Sequence, residues 1–299
     1  MPLQIYNPDP LIGRLEKYSI YSVNSFFRPT LGIIIRDDAD ESELYYMRSL
    51  QKKAEKYGAN TILYTVNKMY DAAIAIQELR ENTDVAGIII LSSFGENADR
   101  ALADMIPSRL DIDCSSSVSL GQLITSNTSI GFRQGPCTAV ACYKIIEDYC
   151  GTNDFSGKTV AVISRSLRVG RPLAGILTQH NATVTVFHSK SDIPQDLSEY
   201  NIIVAATGKP EWLDEKYCQR YSDLKLIIDV STIETESGLV GDVDLDSFYD
   251  QGYDVENCTT NLTITSVPGG VGKLTPIILF AKLFQNAAIR LGKVIEEVH

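Results

Sequence analysis

Arg165, Arg168 and Arg171 share one short run with Ser164, Ser166 and Gly170, read as SRSLRVGR, directly before Pro172. Small residues let backbone come close to a ligand, and guanidinium groups are donors matched to phosphate, so the chemistry on offer is phosphate binding. Pro172 suits a first helical turn, because its missing N–H would be unpaired there anyway. The run therefore sits at a helix N-terminus, where free N–H groups and the macrodipole favour a phosphate. It is not the glycine fingerprint of dinucleotide sites, and taken alone it fits an ordinary strand-to-helix turn as well. The following strand ends Phe187-His188-Ser189-Lys190, where the commonest NAD sites carry Asp or Glu for the ribose 2′-OH. Arg165 with Ser189 and Lys190 makes a cationic, hydroxyl-bearing corner that suits a 2′-phosphate, so NADP is the expected cofactor. NAD is the alternative, because Arg165 could equally take the pyrophosphate or help hold an inorganic phosphate. His188 reads as a strand-end imidazole packed beside the cofactor rather than as a catalytic group.

The elements that must position this run form a βαβ unit: strand Lys158–Ser164, helix Pro172–His180, and a second strand over residues 182–189. Strands at Asn201–Ala206, Leu224–Val230 and Leu262–Val267 extend the sheet. They end in small polar turns, Thr207-Gly208-Lys209-Pro210 and Pro268-Gly269-Gly270-Val271-Gly272, and open α/β sheets place ligands at such ends. Upstream, an apolar helix over Leu11–Phe27 closes at Pro29, and a strand follows at Thr30–Ile35. Ser42 reads as the N-cap of a helix to about Tyr57, with Gly58 as its stop. Strand Thr61–Val66, helix Asp71–Arg80, strand Val85–Leu91 and helix Asn97–Met105 complete an alternating pattern, which means a parallel sheet covered on both faces. Residues 111–134 are rich in Ser, Thr, Asn and Gly and read as a loop, either an active-site wall or a linker. Pro136–Tyr149 is a helix leading into the second sheet. A long helix over about Thr275–Glu297 closes the chain, with Ile278, Phe280, Ala281, Phe284, Ala288 and Leu291 as its packing face.

Composition narrows the classes. At 299 residues with 44% hydrophobic content the chain can fill two cores. Its net charge of −11 argues against nucleic-acid or anionic-membrane partners. No apolar run approaches the ~20 residues of a membrane span, and MPLQIYNPDP lacks the features of a signal peptide, so a cytoplasmic protein is expected. Six cysteines without a CxxC pair exclude a disulfide scaffold, and three histidines make a zinc site unexpected, so no metal is assigned.

Together these pieces resemble the methylenetetrahydrofolate dehydrogenase/methenyltetrahydrofolate cyclohydrolase family over nearly the whole chain. SRSLRVGRPLAGIL (164–177) is similar to the family's cofactor turn and SVPGGVGKLT (266–275) to its PGGVGPMT signature. QGPCTAVA (134–141), AATGKPEW (205–212), LVGDV (239–243) and LDID (110–113) are weaker matches in the right order. The resemblance implies an α/β fold of two domains. An N-terminal folate-binding catalytic domain takes residues 1–136 with the returning C-terminal helix, 276–299. A Rossmann-like, doubly wound NAD(P) domain takes 137–275. It also implies oxidation of 5,10-methylenetetrahydrofolate with NAD(P), hydrolysis of the methenyl product in most members, and a homodimer.

Residue by residue, the resemblance assigns Asp113 to the pterin, where a carboxylate accepts two N–H bonds from the 2-amino-pyrimidinone edge. Tyr45 or Tyr46 would stack on or border the pterin and, with Asp113, make up the catalytic set. Leu91, Pro268, Gly269 and Gly270 would line the substrate. Thr138, Ser164, Arg165, Ser166, Gly170, Arg171, Pro172, His188, Ser189, Lys190, Thr207, Gly208, Gly272 and Thr275 would line the cofactor. Lys273 stands where the family usually has Pro. The family hydrolyses the methenyl cation with a Lys four residues after the helix Tyr, backed by a Gln at a strand end. Here the pair is Tyr45/Ser49 or Tyr46/Leu50, neither with Lys; Lys52 and Lys53 lie a turn too far along, and Leu91-Ser92-Ser93-Phe94 replaces Gln-Leu-Pro. The implied protein is a dehydrogenase with the cyclohydrolase weak or absent. A dehydrogenase of another reduced pterin or small molecule, and a non-catalytic nucleotide-binding sensor or partner subunit, are the alternatives.

Overall fold

Every strand pair among the described residues but one is parallel, as β-branched strands linked through helices require. The computed structural model describes residues 3–22, 27–125, 135–218, 225–236, 238–250 and 262–292. In the first half these form β1 (Gln4–Ile5), α1 (Asp9–Leu15), β2 (Thr30–Arg36), α2 (Glu41–Tyr57), β3 (Asn60–Val66), α3 (Met69–Glu81), β4 (Val85–Ile90), α4 (Glu96–Met105) and α5 (Ser117–Thr125). The second half gives α6 (Cys137–Cys150), β5 (Thr159–Ile163), α7 (Gly170–Gln179), β6 (Thr183–Phe187), β7 (Ile202–Ala205), β8 (Leu226–Asp229), β9 (Ile233–Thr235), β10 (Gly238–Val240), α8 (Leu245–Asp250), β11 (Thr263–Ile264) and α9 (Val271–Arg290).

The chain divides into two compact units, Met1–Leu11 with Thr138–Thr275, and Ile12–Cys137 with Pro276–His299. The described residues up to Leu11 therefore group with Thr138–Thr275, whereas the sequence placed them in the N-terminal domain. The reason is backbone pairing: Gln4 N–H donates to Leu262 O and Tyr6 N–H to Ile264 O, each at 2.9 Å, which makes β1 an edge strand of the other unit. Tyr6 adds a 2.6 Å hydrogen bond from its hydroxyl to Asp148.

In the first unit six strands run in the order β1-β11-β8-β7-β5-β6. β5 has β6 on one side and β7 on the other, so the order reverses at the β5/β7 carboxyl ends, the place where doubly wound sheets open a crevice. Ala161, Ile163, Ile203, Ile227 and Phe248 fill its core. A short antiparallel hairpin, β9–β10, was not read from the sequence.

In the second unit three parallel strands run β3-β2-β4, with Ile34, Ile76, Leu79, Val85 and Leu102 in the core. α9 belongs to this unit from Pro276 onward. Asn286 donates to Ala86 O at 3.1 Å and Arg109 O at 2.9 Å, Arg290 donates to Val85 O at 2.7 Å, and the Phe280 ring meets Tyr57 edge-on at 5.3 Å. Ile278, Phe280, Ala281, Phe284 and Ala288 are buried as the stripe predicts, but Leu291, past the last turn, is 48% exposed.

Other boundaries moved for local reasons. The first helix starts at Asp9, whose N–H donates to the Asn7 side chain, and turns π-helical over Glu16–Tyr21. Residues 23–26 of the expected helix lie outside the described ones. Asp40, not Ser42, caps α2: its carboxylate accepts Glu43 N–H at 2.8 Å while the Glu43 side chain accepts Asp40 N–H, a capping box. Within the expected loop 111–134, Ser117–Thr125 is helical, started by Ser117 N–H on Asp104 at 2.6 Å; residues 126–134 are outside the described set. α9 begins at Val271 rather than Thr275. No described helix is long and apolar enough to cross a membrane, and the described residues hold no group of three or more His, Cys, Asp or Glu that could bind a metal.

Candidate active site

In the first unit the candidate residues lie on the loops that follow the strands. β5 ends at Ile163, and α7 starts so close above it that a Cβ on Gly170 would fall 2.0 Å from Ser164 O. Only glycine allows that packing. Ser166 turns inward: its hydroxyl accepts the N–H groups of Val169 at 3.1 Å and Gly170 at 3.4 Å, and its carbonyl accepts Arg171 N–H at 3.1 Å. The helix start is thus already partnered at these three amides, and Pro172 has none to give. This narrows the expectation of free N–H groups for a phosphate: these three amides are taken within the turn, and its exposed side chains add donors of their own. Arg165, Arg168 and Arg171 are all exposed, and no described residue takes their guanidinium groups.

At the end of β6, His188 organises its own turn. Its Nδ1 accepts Lys190 N–H at 3.1 Å, its N–H donates to Ser191 Oγ at 3.1 Å, and its carbonyl accepts Ser191 N–H at 2.8 Å. Ser189 and Lys190 are exposed beside it. After β7, the buried Asp242 carboxylate accepts Thr207 N–H at 2.5 Å and Lys209 N–H at 3.0 Å, while Gly208, with φ +72°, donates its N–H to Ser231 Oγ at 3.0 Å. Asp242 is in turn fixed by Asp229, whose carboxylate accepts the N–H groups of Asp242 and Val243 at 2.9 and 3.0 Å. Burial pushes the Asp229 carboxyl up to about 7 against those backbone donors, with the neighbouring Asp242 adding to the rise.

The glycine loop is shaped by its own backbone. Gly270 N–H donates to Ser266 O at 2.8 Å, and a Cβ on Gly270 would fall 2.8 Å from Thr265 Cβ. Gly269 has φ +124°. Gly272 lies inside α9 with open space around it, so close packing does not require glycine there. Lys273, at the family's proline position, is exposed and pairs with Asp9 at 3.3 Å. Thr275 donates its hydroxyl to Val271 O at 3.1 Å, and Thr138 is half-buried in the first turn of α6.

In the second unit Asp113 is half-buried, and one of its carboxylate oxygens accepts Cys137 N–H at 3.2 Å at the start of α6. Tyr45 is 73% exposed, and Tyr46 is half-buried on the same helix. Leu91 continues β4 by donating its N–H to Ile34 O at 2.9 Å. Ser92 Oγ then accepts Arg36 N–H at 3.1 Å, and Asp99 accepts Phe94 N–H at 2.7 Å and the Ser93 hydroxyl at 2.5 Å, so the segment 91–94 is held at both ends.

Residues 136–291 match the family described as tetrahydrofolate dehydrogenase/cyclohydrolase, NAD(P)-binding domain. A bifunctional protein FolD from Clostridium botulinum (strain Eklund 17B / Type B) is 34% identical over 245 residues, 80% of this chain and 80% of that protein. The chain belongs to the methylenetetrahydrofolate dehydrogenase/cyclohydrolase family. The bifunctional FolD dehydrogenase/cyclohydrolase of Campylobacter jejuni has a similar structure, with TM-score 0.81, 25% identity, and 97% of this chain and 100% of that one covered. So has the Trypanosoma brucei dehydrogenase-cyclohydrolase complexed with NADP cofactor and inhibitor, with TM-score 0.79, 25% identity, and 98% and 100% covered. The chain thus carries the family's two-domain α/β fold and its NAD(P)-binding domain.

Against that family's pattern, the two candidate positions for the missing lysine are unlike each other. Leu50 is 0% exposed, part of the core face of α2 with Met47, Ala54 and Tyr57, whereas Ser49 is half-buried. Lys53 is half-buried as well, and burial and the neighbouring Lys56 hold its amine below the usual lysine value. Sequence reasoning missed a group beneath Asp113: Lys282 on α9, buried with Asp111, Cys114 and Cys137. Its position on the packing face of a closing helix was the available signal, since an ammonium on such a face needs partners.

Proposed function

We propose that the protein oxidises 5,10-methylenetetrahydrofolate to 5,10-methenyltetrahydrofolate by hydride transfer to NADP, with NAD as the alternative acceptor, and that its cyclohydrolase activity is weak or absent. Family membership supports the first half. The observation that carries the second is the absence of an amine at either candidate position, with Leu50 sealed in the core. Water attack on the methenyl carbon needs a group that moves protons, and neither Ser49 nor Leu50 supplies one. Hydride transfer asks for less, because the substrate's own nitrogens stabilise the cation that forms.

The donors in the first unit fit a phosphate-bearing dinucleotide: exposed Arg165, Arg168 and Arg171 on one loop, exposed Ser189 and Lys190 on another, and no carboxylate at the end of β6. NADP, when bound, supplies the hydride acceptor. In this reading Arg165, Ser189 and Lys190 hold the 2′-phosphate, and Ser164, Ser166, Gly170, Arg171, Pro172 and His188 shape that wall. Thr138, Thr207, Gly208, Gly272 and Thr275 line the rest of the cofactor. Asp113, with one oxygen on Cys137 N–H, offers the other to the pterin N–H edge. Tyr45 or Tyr46 borders the ring, with Leu91, Pro268, Gly269 and Gly270 along the substrate. The folate role goes to the unit of 12–137 with 276–299 and the cofactor role to that of 1–11 with 138–275, where the sequence alone divides the chain at 1–136 with 276–299 and 137–275. A cytoplasmic homodimer belongs to the same reading, on the family resemblance alone; the mass in solution tests the dimer.

The test is to follow reduced cofactor and methenyl product separately, starting from 5,10-methylenetetrahydrofolate with NADP or NAD. Reduced cofactor with accumulating methenyl product is expected. Rapid conversion to 10-formyltetrahydrofolate would refute the loss of hydrolysis, and no reduction of either cofactor would refute the dehydrogenase. Arg165→Ala is expected to weaken NADP by about 10- to 100-fold, the loss of a hydrogen bond to a charged group, and to leave NAD nearly unchanged. Equal weakening of both would assign Arg165 to the pyrophosphate.

A further inference from the structure

Asp113 reaches across from the turn that follows Leu110 to the start of α6, and Lys282 ties together the same two segments from below. Its Nζ donates to Gly135 O, two residues before the Cys137 N–H that Asp113 accepts, and lies 3.7 Å from Cys114 Sγ, the side chain next to Asp113. Lys282 is 1% exposed. The turn it meets is tightly determined. Cys114 has φ +50°, a conformation that a side chain seldom adopts, and its N–H donates to Asp111 O at 3.2 Å. Asp111 is buried and accepts Ser115 N–H at 3.0 Å, Ser116 N–H at 2.9 Å and the Ser119 hydroxyl at 2.7 Å. Arg100 holds Ser115 O at 2.6 Å from α4, and Cys137 Sγ donates to Ile112 O at 3.3 Å from α6.

We propose that Lys282 is a positioning residue for the folate substrate: it clamps 111–115 to 135–137 and so fixes which oxygen of Asp113 is spent on Cys137 N–H and which is free for the pterin edge. This rests on the assignment of Asp113 to the pterin. A buried ammonium is costly unless paired. Burial works against the charge on Lys282, yet Cys114, Cys137, Asp113 and Asp111 around it hold the amine above the usual lysine value.

The experiment compares wild type, Lys282→Gln, Lys282→Met, Asp113→Asn and Asp113→Asn/Lys282→Gln in steady-state dehydrogenase assays, with circular dichroism and thermal melts on each. Gln keeps a donor for Gly135 O and loses the charge; Met loses both. An inactive wild type would remove the underlying reading, so that failure stands apart from this one. With an active wild type, Lys282→Gln is expected to raise KM for 5,10-methylenetetrahydrofolate about tenfold and to leave KM for NADP within about twofold. The double variant is expected to be no worse than Asp113→Asn alone within about twofold, because the lysine acts through the aspartate. Equal rises in both KM values, unchanged KM values, or additive losses in the double variant would overturn the assignment. So would failure of both Lys282→Gln and Lys282→Met to fold, which would make Lys282 a folding residue only. If Lys282→Met alone fails to fold, Lys282→Gln decides.

Discussion

Single side chains decide what the protein can and cannot do. A lysine introduced at Ser49 enters a half-buried position with room to snorkel, whereas one at Leu50 puts an ammonium into the core. Ser49→Lys is therefore expected to fold and to raise methenyl hydrolysis, read as loss of methenyl absorbance; no rise would mean that other hydrolytic groups are missing too. Leu50→Lys is expected to cost about 3 kcal/mol or more, read by urea unfolding. Gly170→Ala would set a Cβ 2.0 Å from Ser164 O, a backbone atom that cannot step aside without moving β5. Loss of measurable NADP binding and a lower Tm are expected, and normal binding would refute the packing argument. Much of this scale was legible in the sequence: SRSLRVGR, LDID and PGGVG were each recognisable by type and spacing. The partners were not. Ser166 spends its hydroxyl on the α7 amides, and His188 spends its ring on Lys190 N–H, because local hydrogen bonds compete with ligand binding and nothing in a one-dimensional pattern says which wins.

The elements follow from periodicity more closely than their ends do. Strand cores such as TVAVI in β5 and VAGIII in β4 are continuous apolar runs and stand where they were read. The start of α2 is different, since Asp40 and Ser42 are both good caps and the reciprocal bond from Glu43 selects Asp40. Asp40→Ala is expected to cost about 1 kcal/mol and Ser42→Ala less than about 0.5 kcal/mol in urea unfolding. The reverse order would return the cap to Ser42. α5 escaped notice because Ser117 borrows Asp104 as its helix start, a partner thirteen residues upstream. The first strand, two residues long, has no periodicity of its own and exists only because β11 offers it an edge.

For the molecule as a whole, the buried Asp229 links stability to pH. Its carboxyl is pushed up to about 7 in the folded chain from an ordinary 3.8, so the folded state holds an extra proton between those values. Stability from this group is fully present below the unfolded value and is lost as pH rises through about 7. Tm is expected to fall by several degrees between about pH 4 and 7 and to level off above. Asp229→Asn is expected to start lower, because an amide replaces one acceptor for the Asp242 and Val243 N–H groups, and to flatten the slope. A slope that survives the substitution would have another origin. The sequence by itself determined the α/β class, the parallel pairing, the cationic run before Pro172 and the lack of lysine at both 49 and 50, since these depend on residue type at short spacing. Only the tertiary structure decided that Gln4–Ile5 join the sheet of the NAD(P)-binding unit, that Leu50 is core while Ser49 is not, and that Lys282 lies beneath Asp113 from 169 residues away in the chain. Those outcomes depend on which surfaces bury one another, and burial is a property of the packed chain that no local run of residues contains.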